Sequence, residues 1–169
     1  MRVTRTYLEL TSAAAFRPAF GAFPDVTVER ISDPTPALYR HCYRTVGAAW
    51  RWRDRWDWTD GEIARHLARP EITLHLARGT DDLLGWYELR RVPADDSVEI
   101  AYFGLFPAAI GQGLGKHLLS CAVQDAWAAG ARRVWLHTCT LDHPAAVPNY
   151  VARGFVPYFT EDYEVDSPS

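Results

Sequence analysis

Apolar residues recur at a helical spacing over one long stretch in the second half of the chain. The stretch opens after Gly113, stops at Gly130 and carries a wide apolar stripe made of Leu114, Leu118, Leu119, Ala122, Val123, Ala126 and Trp127. Such a stripe predicts an amphipathic helix with one buried face. Residues 98–106 before it and 134–140 after it read as strands. This order predicts a βαβ unit, in which the two strands are parallel and the crossover is right-handed.

Shorter strands are predicted on both sides of this unit. In the first half of the chain, alternating apolar and polar positions predict strands at residues 6–10, 26–31, 72–76 and 83–92. Turns at residues 79–82 and 93–97 lie before and after the strand at 83–92, and they predict two consecutive hairpins, which make this part of the sheet antiparallel. Two final strands are predicted at residues 155–158 and 163–165.

Three further helices have recognisable ends. The first begins near Pro34 and Pro36 and stops at Gly47, and the second opens with a capping box formed by Thr59 and Glu62. The last follows the loop after residue 140 and ends near residue 153. The predicted fold class is therefore α+β, with an antiparallel first half of a mixed sheet, one parallel strand pair later, and helices on both faces.

Length and composition place the chain among ordinary globular domains. Its 169 residues, 48% of them hydrophobic, predict one domain spanning residues 1–169, with residues 1–25 as an N-terminal arm packed on it. A net charge of -3 argues against nucleic acid or an anionic membrane as the main partner. The three cysteines lack metal-ligand spacing, so we expect reduced thiols and no metal site. With no apolar run long enough for a membrane span, the expected location is the cytoplasm.

A glycine-rich loop lies between the first strand of the βαβ unit and its helix. Gly111, Gly113 and Gly115 leave the backbone accessible at a helix N-terminus, where unpaired N–H groups and the helix dipole favour a phosphate group. The spacing does not match a P-loop, since Gly111 and Gly115 are one residue too close and His117 offers no hydroxyl. Lys116 stands where a dinucleotide fingerprint needs glycine. The sequence therefore predicts a phosphate site of another type.

Two segments resemble the GNAT superfamily of N-acetyltransferases. Residues 105–116, Leu-Phe-Pro-Ala-Ala-Ile-Gly-Gln-Gly-Leu-Gly-Lys, are similar to its pyrophosphate loop, Arg/Gln-x-x-Gly-x-Gly/Ala, with Ile110 where the family usually has Arg or Gln. Residues 149–155 resemble a later helix of the family, in which a tyrosine four residues before Gly-Phe lies near the cofactor's sulfur. The resemblance implies a GNAT-like fold in which the parallel strands 98–106 and 134–140 are splayed, with the thioester in the gap between them. It also implies acetyl-CoA as cosubstrate and direct transfer of the acetyl group to a primary amine in a ternary complex.

The resemblance also implies which residues hold the cosubstrate. The expected contacts are Leu105, Ile110, Gly111, Gln112, Gly113, Leu114, Gly115, Lys116 and, weakly, His143. Leu105 or a neighbour marks the place where the family uses a bulged backbone N–H to polarise the thioester carbonyl.

The catalytic acid and base are the remaining expectations for chemistry. Tyr150 matches the family's tyrosine and is the expected acid for the departing thiolate. Glu99 is the preferred base, and Glu88 on the preceding strand is placed near the substrate. Strand alternation does not reveal which of these two carboxylates faces the cleft. His137 and His143 are therefore further candidates for the base. For each of these side chains an ordinary packing or surface role stays open.

Residues 50–58 carry four tryptophans, and we call them the tryptophan-rich segment. In one interpretation Trp50, Trp52 and Trp56 form an aromatic wall for the acceptor, with charge from Asp54 or Asp57. In the other they cover a helix or meet a partner subunit.

The expected partner is a small-molecule amine or a peptide N-terminus, with no nucleic acid and no membrane, and a homodimer is left open. The alternatives to an acyltransferase are an acyl-CoA-binding module without turnover and an interaction protein that uses the tryptophan-rich segment.

Overall fold

The computed structural model describes residues 1–166, which form seven β-strands and four α-helices. The strands are β1 (Arg2–Leu10), β2 (Thr27–Arg30), β3 (Ile72–Arg78), β4 (Leu83–Val92), β5 (Ser97–Leu105), β6 (Arg133–Cys139) and β7 (Val156–Glu164). The helices are α1 (Pro36–Gly47), α2 (Asp60–Leu67), α3 (Leu114–Ala128) and α4 (Ala146–Ala152). None of the helices formed by these residues is long and apolar enough to cross a bilayer.

Local capping chemistry explains where the first two helices begin. The Thr35 side chain accepts a hydrogen bond from the Leu38 N–H, with a proline in the first turn of α1. The predicted capping box of α2 is confirmed, because Thr59 accepts from the Glu62 N–H and the Glu62 carboxylate accepts from the Thr59 N–H. Both helix starts are therefore fixed by residues visible in the sequence.

The strands form a single mixed sheet in the order β2-β3-β4-β5-β6-β1-β7. Only β5 and β6 pair in parallel, and α3 connects them, so the predicted βαβ unit is confirmed. The remaining neighbours are antiparallel. This architecture confirms the predicted α+β class.

The N-terminal strand lies inside the sheet, where it pairs antiparallel with both β6 and β7. It begins at Arg2, four residues before the predicted segment. The alternation of apolar and polar residues is visible only in the second half of β1. The strand buries Leu8 and Leu10 on one face but Val3 on the other, so one alternating pattern does not run through its whole length. Beyond the strand, the backbone N–H groups of Ala19 and Gly21 donate to Ser120 and His117, so this part of the chain crosses α3.

The prediction of two separate final strands is wrong, since β7 is continuous from Val156 to Glu164. The polar stretch around Asp162 resembles a turn in the sequence, but Glu161 and Asp162 pair with Arg5 and Arg2 of β1. Cross-strand charge pairs of this kind let a polar segment remain a strand.

Two apolar cores lie on opposite faces of the sheet. Trp86 and Tyr87 are consecutive on β4 and fully buried, so they point to opposite faces. Trp86 packs with residues of α1 and α2, while Tyr87 packs with residues of α3 and α4. Helices therefore cover both faces, as predicted, and the parallel strand pair lies between the two cores.

Candidate active site

The two parallel strands separate soon after they meet. β5 and β6 pair at only three positions, the last being Glu99 with Trp135. Beyond this pair the strands no longer pair with each other, and residues 100–105 of β5 line a cleft of about 1240 Å³ together with Leu136, His137 and Cys139 of β6. The splayed pair expected from the resemblance is thus present, and it opens the centre of the sheet to a ligand.

A bulge occurs in β5 at the start of the cleft. Glu88 pairs with Tyr102 and Leu89 pairs with Ile100, which leaves Ala101 without a partner on β4. The sequence placed this feature at Leu105 or a neighbour, but Leu105 pairs regularly with Gly85. That placement is wrong by four residues because a bulge depends on cross-strand register.

The far end of β5 presents free backbone groups to the cleft. The Phe106 N–H donates to the Leu84 carbonyl at 2.9 Å. Because hydrogen-bonded and non-hydrogen-bonded pairs alternate in an antiparallel ladder, the N–H and C=O groups of Phe103 and Leu105 point away from β4. They therefore face the gap that β6 leaves open.

The glycine loop forms the next wall of the cleft. Gly111 and Gly113 have φ angles of 88° and 78°, in the left-handed region that favours glycine. Gly113 is the N-cap of α3, so the unpaired N–H groups of the first helical turn converge here. The loop residues that line the cleft are Ile110, Gly111, Gly113, Gly115 and Lys116.

Two other predicted loop contacts do not line the cleft. The Gln112 side chain donates to the Ala108 carbonyl at 3.3 Å, within the loop itself. Leu114 is only 3% exposed and packs into the core. Their side chains are thus engaged elsewhere, and only their backbone groups remain for a ligand.

Helix α4 and the loop before it supply the opposite wall. Tyr150 lines the cleft with its ring buried edge-on between Phe103 and Phe155, and burial raises the pKa of its hydroxyl. His143 lies at the rim with its ring 5.1 Å from that of Trp50. Tyr150 therefore remains a neutral phenol, able to donate a proton.

Glu88 is not where a substrate residue would lie. Its carboxylate is fully buried and accepts hydrogen bonds from the Tyr39 hydroxyl at 2.9 Å and Arg55 Nη1 at 2.9 Å, with His66 Nε2 at 3.0 Å. Burial disfavours this charge, but His66 and Arg55 together hold the pKa of Glu88 below its usual range. The prediction that Glu88 contacts a substrate is corrected by this burial.

Glu99 lies behind the cleft and does not line it. Its carboxylate accepts a hydrogen bond from Arg90 Nε at 2.8 Å, and the side chain is 9% exposed. His137 stands between Glu99 and the cleft, with its Nε2 3.9 Å from the Glu99 carboxylate. His137, which the sequence offered as a second choice of base, therefore separates the preferred base Glu99 from the cleft.

The tryptophan-rich segment divides between the cleft and the surface. Trp50, Trp52 and Asp54 line the cleft, as predicted for two of the three substrate tryptophans. Trp56 does not, because it packs beneath the guanidinium groups of Arg44 and Arg53. Consecutive aromatic positions in an irregular segment point in different directions, which a sequence pattern alone does not resolve.

Residues 34–155 match the Acetyltransferase (GNAT) family. The chain belongs to this family. No curated protein matches the sequence.

Solved structures share the fold of this GNAT chain at low sequence identity. A conserved protein of unknown function from Staphylococcus epidermidis is 17% identical with a TM-score of 0.66, over 96% of this chain and 60% of its own. A GCN5-related N-acetyltransferase from Kribbella flavida is 20% identical with a TM-score of 0.64, over 93% of this chain and 55% of its own. The chain thus spans somewhat more than half the length of these two proteins.

A third structure matches over most of its own length. An aminoglycoside acetyltransferase from an uncultured soil metagenomic sample, in complex with sisomicin, is 14% identical with a TM-score of 0.64. The match covers 76% of this chain and 88% of that one. At this identity the likeness concerns the fold alone.

From the sequence of this GNAT domain, Asp142 was expected only weakly, together with His143, as a contact of the cosubstrate. Its carboxylate accepts hydrogen bonds from the Thr138 hydroxyl at 2.6 Å and the Cys139 N–H at 2.8 Å. The Trp52 indole N–H lies 3.4 Å from the other carboxylate oxygen. Asp142 thus connects the end of β6 to the tryptophan-rich segment across the cleft, a structural role that the sequence did not indicate.

Proposed function

We propose that this GNAT protein is an acetyl-CoA-dependent N-acetyltransferase that moves an acetyl group to a primary amine by direct transfer in a ternary complex. The observation that carries the proposal is that the glycine loop and the splayed strands open into one cleft, with Tyr150 on its wall. Membership of the acetyltransferase family supports acyl transfer. The site chemistry supports the choice of donor.

The cleft fits the two polar parts of acetyl-CoA. The first turn of α3 offers several unpaired N–H groups, beside Lys116, to a pyrophosphate. The free backbone edge of Phe103 and Leu105 suits an extended arm with amide groups, which would add to β5 as a short strand. When bound, the cosubstrate supplies an activated acyl thioester.

Two groups of the chain act on the reacting centre in this proposal. A backbone N–H of Phe103 or Leu105 polarises the acyl carbonyl, because these groups point away from β4 into the gap between the splayed strands. Tyr150 gives its phenolic proton to the departing sulfur. Burial raises the pKa of the Tyr150 hydroxyl, so this group is protonated at neutral pH and the proton is available when the thiolate departs.

The acceptor end of the cleft lies at the tryptophan-rich segment. Trp50 and Trp52 offer aromatic faces, and Asp54 offers negative charge for an ammonium group. We therefore propose a small-molecule amine or a peptide N-terminus as the acceptor. The three cysteines are free, which agrees with a reducing compartment such as the cytoplasm, where we place the protein.

The proposal is tested by incubating the protein with acetyl-CoA and a panel of primary amines while CoA thiol release is followed. Aminoglycosides belong in the panel because one structural neighbour is an aminoglycoside acetyltransferase. Release that depends on an amine supports the enzyme. A rise in melting temperature with acetyl-CoA but no release with any amine would indicate a binding module. If acetyl-CoA neither raises the melting temperature nor releases CoA with any amine, the remaining alternative is an interaction protein that uses the tryptophan-rich segment.

A further inference from the structure

The imidazole of His137 is the titratable group of β6 that lies between the buried end of the sheet and the open cleft. Its side chain is 33% exposed, whereas Glu99 behind it is 9% exposed. An acceptor in the cleft can therefore approach His137 directly but reaches Glu99 only past the imidazole. The difference in access separates the two candidates for a base.

Glu99 is already committed to another partner. Arg90 donates to its Oε2 atom through Nε at 2.8 Å, and Arg90 Nη2 lies 2.6 Å from the same oxygen. A carboxylate that is held this way by a guanidinium is fixed in place and does not turn toward the cleft. It can nevertheless face a neighbouring imidazole and favour its charged form.

From this arrangement we infer that His137 is the general base that takes the proton of the acceptor ammonium, and that Glu99, fixed by Arg90, is a positioning residue for it. The inference rests on the proposed function. With Nε2 turned toward Glu99, Nδ1 is the nitrogen left to accept a proton.

The proton and electron balance of the step is simple. His137 takes a proton from the acceptor ammonium, and the freed amine nitrogen forms a bond to the acetyl carbonyl carbon. The bond from that carbon to sulfur breaks, and the sulfur takes the phenolic proton of Tyr150. The imidazolium then loses its proton to water, and the phenolate regains one from water.

Several charged groups surround this imidazole, from every element packed against it. They are Glu99 on β5, Arg5 on β1, Asp142 after β6 and Asp54 in the tryptophan-rich segment, with the Tyr7 ring 5.4 Å away. Desolvation lowers the pKa of His137, and Glu99 is the largest influence in the opposite direction. The imidazole is accordingly neutral near pH 7, as a base must be.

The test compares three variants by steady-state kinetics over a range of pH, with an amine that the wild type acetylates. His137→Gln should lower kcat/KM at neutral pH by about 10²-fold or more, the usual contribution of a general base. The increase in melting temperature with acetyl-CoA should persist. His41→Gln, an exposed histidine of α1 outside the cleft, serves as the matched control and should keep the wild-type profile.

Glu99→Gln distinguishes positioning from catalysis. Removing the carboxylate should lower the pKa of His137 further, so the acidic limb of the kcat/KM profile should move to lower pH, with a smaller loss of rate than in His137→Gln. An NMR titration of the His137 imidazole should show the same shift without any turnover. If neither the kcat/KM profile nor the imidazole titration shifts in Glu99→Gln, Glu99 is not a positioning residue for His137.

Three results would overturn the inference. If the His137→Gln protein keeps the wild-type rate and the wild-type pH profile of kcat/KM, His137 is not the base. A Glu99→Gln protein that loses turnover while His137→Gln keeps it assigns the base to Glu99. If the wild type shows no amine-dependent turnover at all, the proposed function fails, and the base fails with it.

Discussion

Arg55 Nη1 lies 2.9 Å from the Oε1 atom of Glu88, whose side chain has no exposed surface. Arg55 belongs to the tryptophan-rich segment and Glu88 to β4, so this pair fastens an irregular segment to the sheet. The Arg55 guanidinium also lies 4.6 Å from the centre of the Tyr102 ring. The cleft residues Trp52 and Asp54 precede Arg55 in the chain. Their placement therefore depends on a charge pair outside the cleft.

Replacement of Arg55 tests this dependence. Arg55→Met should lower the free energy of unfolding by about 3–5 kcal/mol, because it leaves a buried carboxylate without its cation. The measurement is urea unfolding at pH 7. Arg53→Met is the matched control, since Arg53 lies on the surface over Trp56, and it should change stability by less than about 1 kcal/mol.

The double variant Arg55→Met/Glu88→Gln should regain part of the loss, because the uncompensated charge is gone. A single Arg55→Met protein as stable as wild type would mean that the pair does not hold the segment.

The buried His75 should make stability depend on pH. Desolvation lowers the pKa of His75 from 6.5 to about 4, with Asp125 acting in the opposite direction. Between these values the unfolded chain binds more protons than the folded one. The contribution of His75 is therefore fully present above about pH 6.5 and is lost as the pH falls toward about 4, by up to about 1.4 kcal/mol per pH unit.

Urea unfolding at pH 7, 6 and 5 measures this slope. His75→Gln should flatten it, while the exposed His41→Gln should keep the wild-type slope. Equal slopes in the wild type and His75→Gln would contradict the assignment.

Tyr150→Phe tests the proposed acid. It should lower kcat for acetyl transfer by about 10²-fold, because a positioned proton donor contributes this much or more. The KM for acetyl-CoA should change little, since the ring and its contacts with Phe103 and Phe155 stay. Tyr158→Phe removes the same atom from an exposed tyrosine of β7 and should keep full activity. Full turnover in Tyr150→Phe would end the acid role.

Gly113→Ala tests the phosphate site. The φ angle of 78° makes a Cβ at this position cost about 1–2 kcal/mol. If the backbone moves to relieve this strain, the N–H groups at the start of α3 no longer point to one common position. Affinity for acetyl-CoA should fall by at least about tenfold, a loss of about 1.4 kcal/mol, in calorimetric titration.

Gly130→Ala is the control, because Gly130 has a φ angle of 92° and open space around it at the other end of the same helix. It should lose stability to the same degree but keep its affinity. Equal affinities in both variants would place the phosphates elsewhere.

Local patterns in the sequence predicted much of the fold. The apolar stripe of α3 and the glycines before it are patterns among residues that are close in the chain, and the structure confirms the βαβ unit they indicated. The position of β1 between β6 and β7 was not visible, because a strand's composition does not name its partners. The two segments predicted for β7 merged for the same reason, since the charges of β1 that neutralise Glu161 and Asp162 lie more than 150 residues away.

The candidate site was predictable where backbone conformation decides the geometry and less so where side-chain orientation does. The positive φ angles of Gly111 and Gly113 follow from glycine itself. Strand register and the bulge at Ala101 decide which face of the sheet the side chains of Glu88, Glu99 and His137 point to, since the bulge shifts the alternation by one residue. Sequence alone could name these three side chains but could not order them by access to the cleft.

Mass spectrometry of the reaction products tests the central claim most directly. The wild-type protein is incubated with acetyl-CoA and the panel of primary amines, and acetylated amine and free CoA are quantified together. We predict that at least one amine gains a single acetyl group, with one molecule of CoA released for each product and none without protein. Free CoA without any acetylated amine, or no release with the whole panel, would contradict the account.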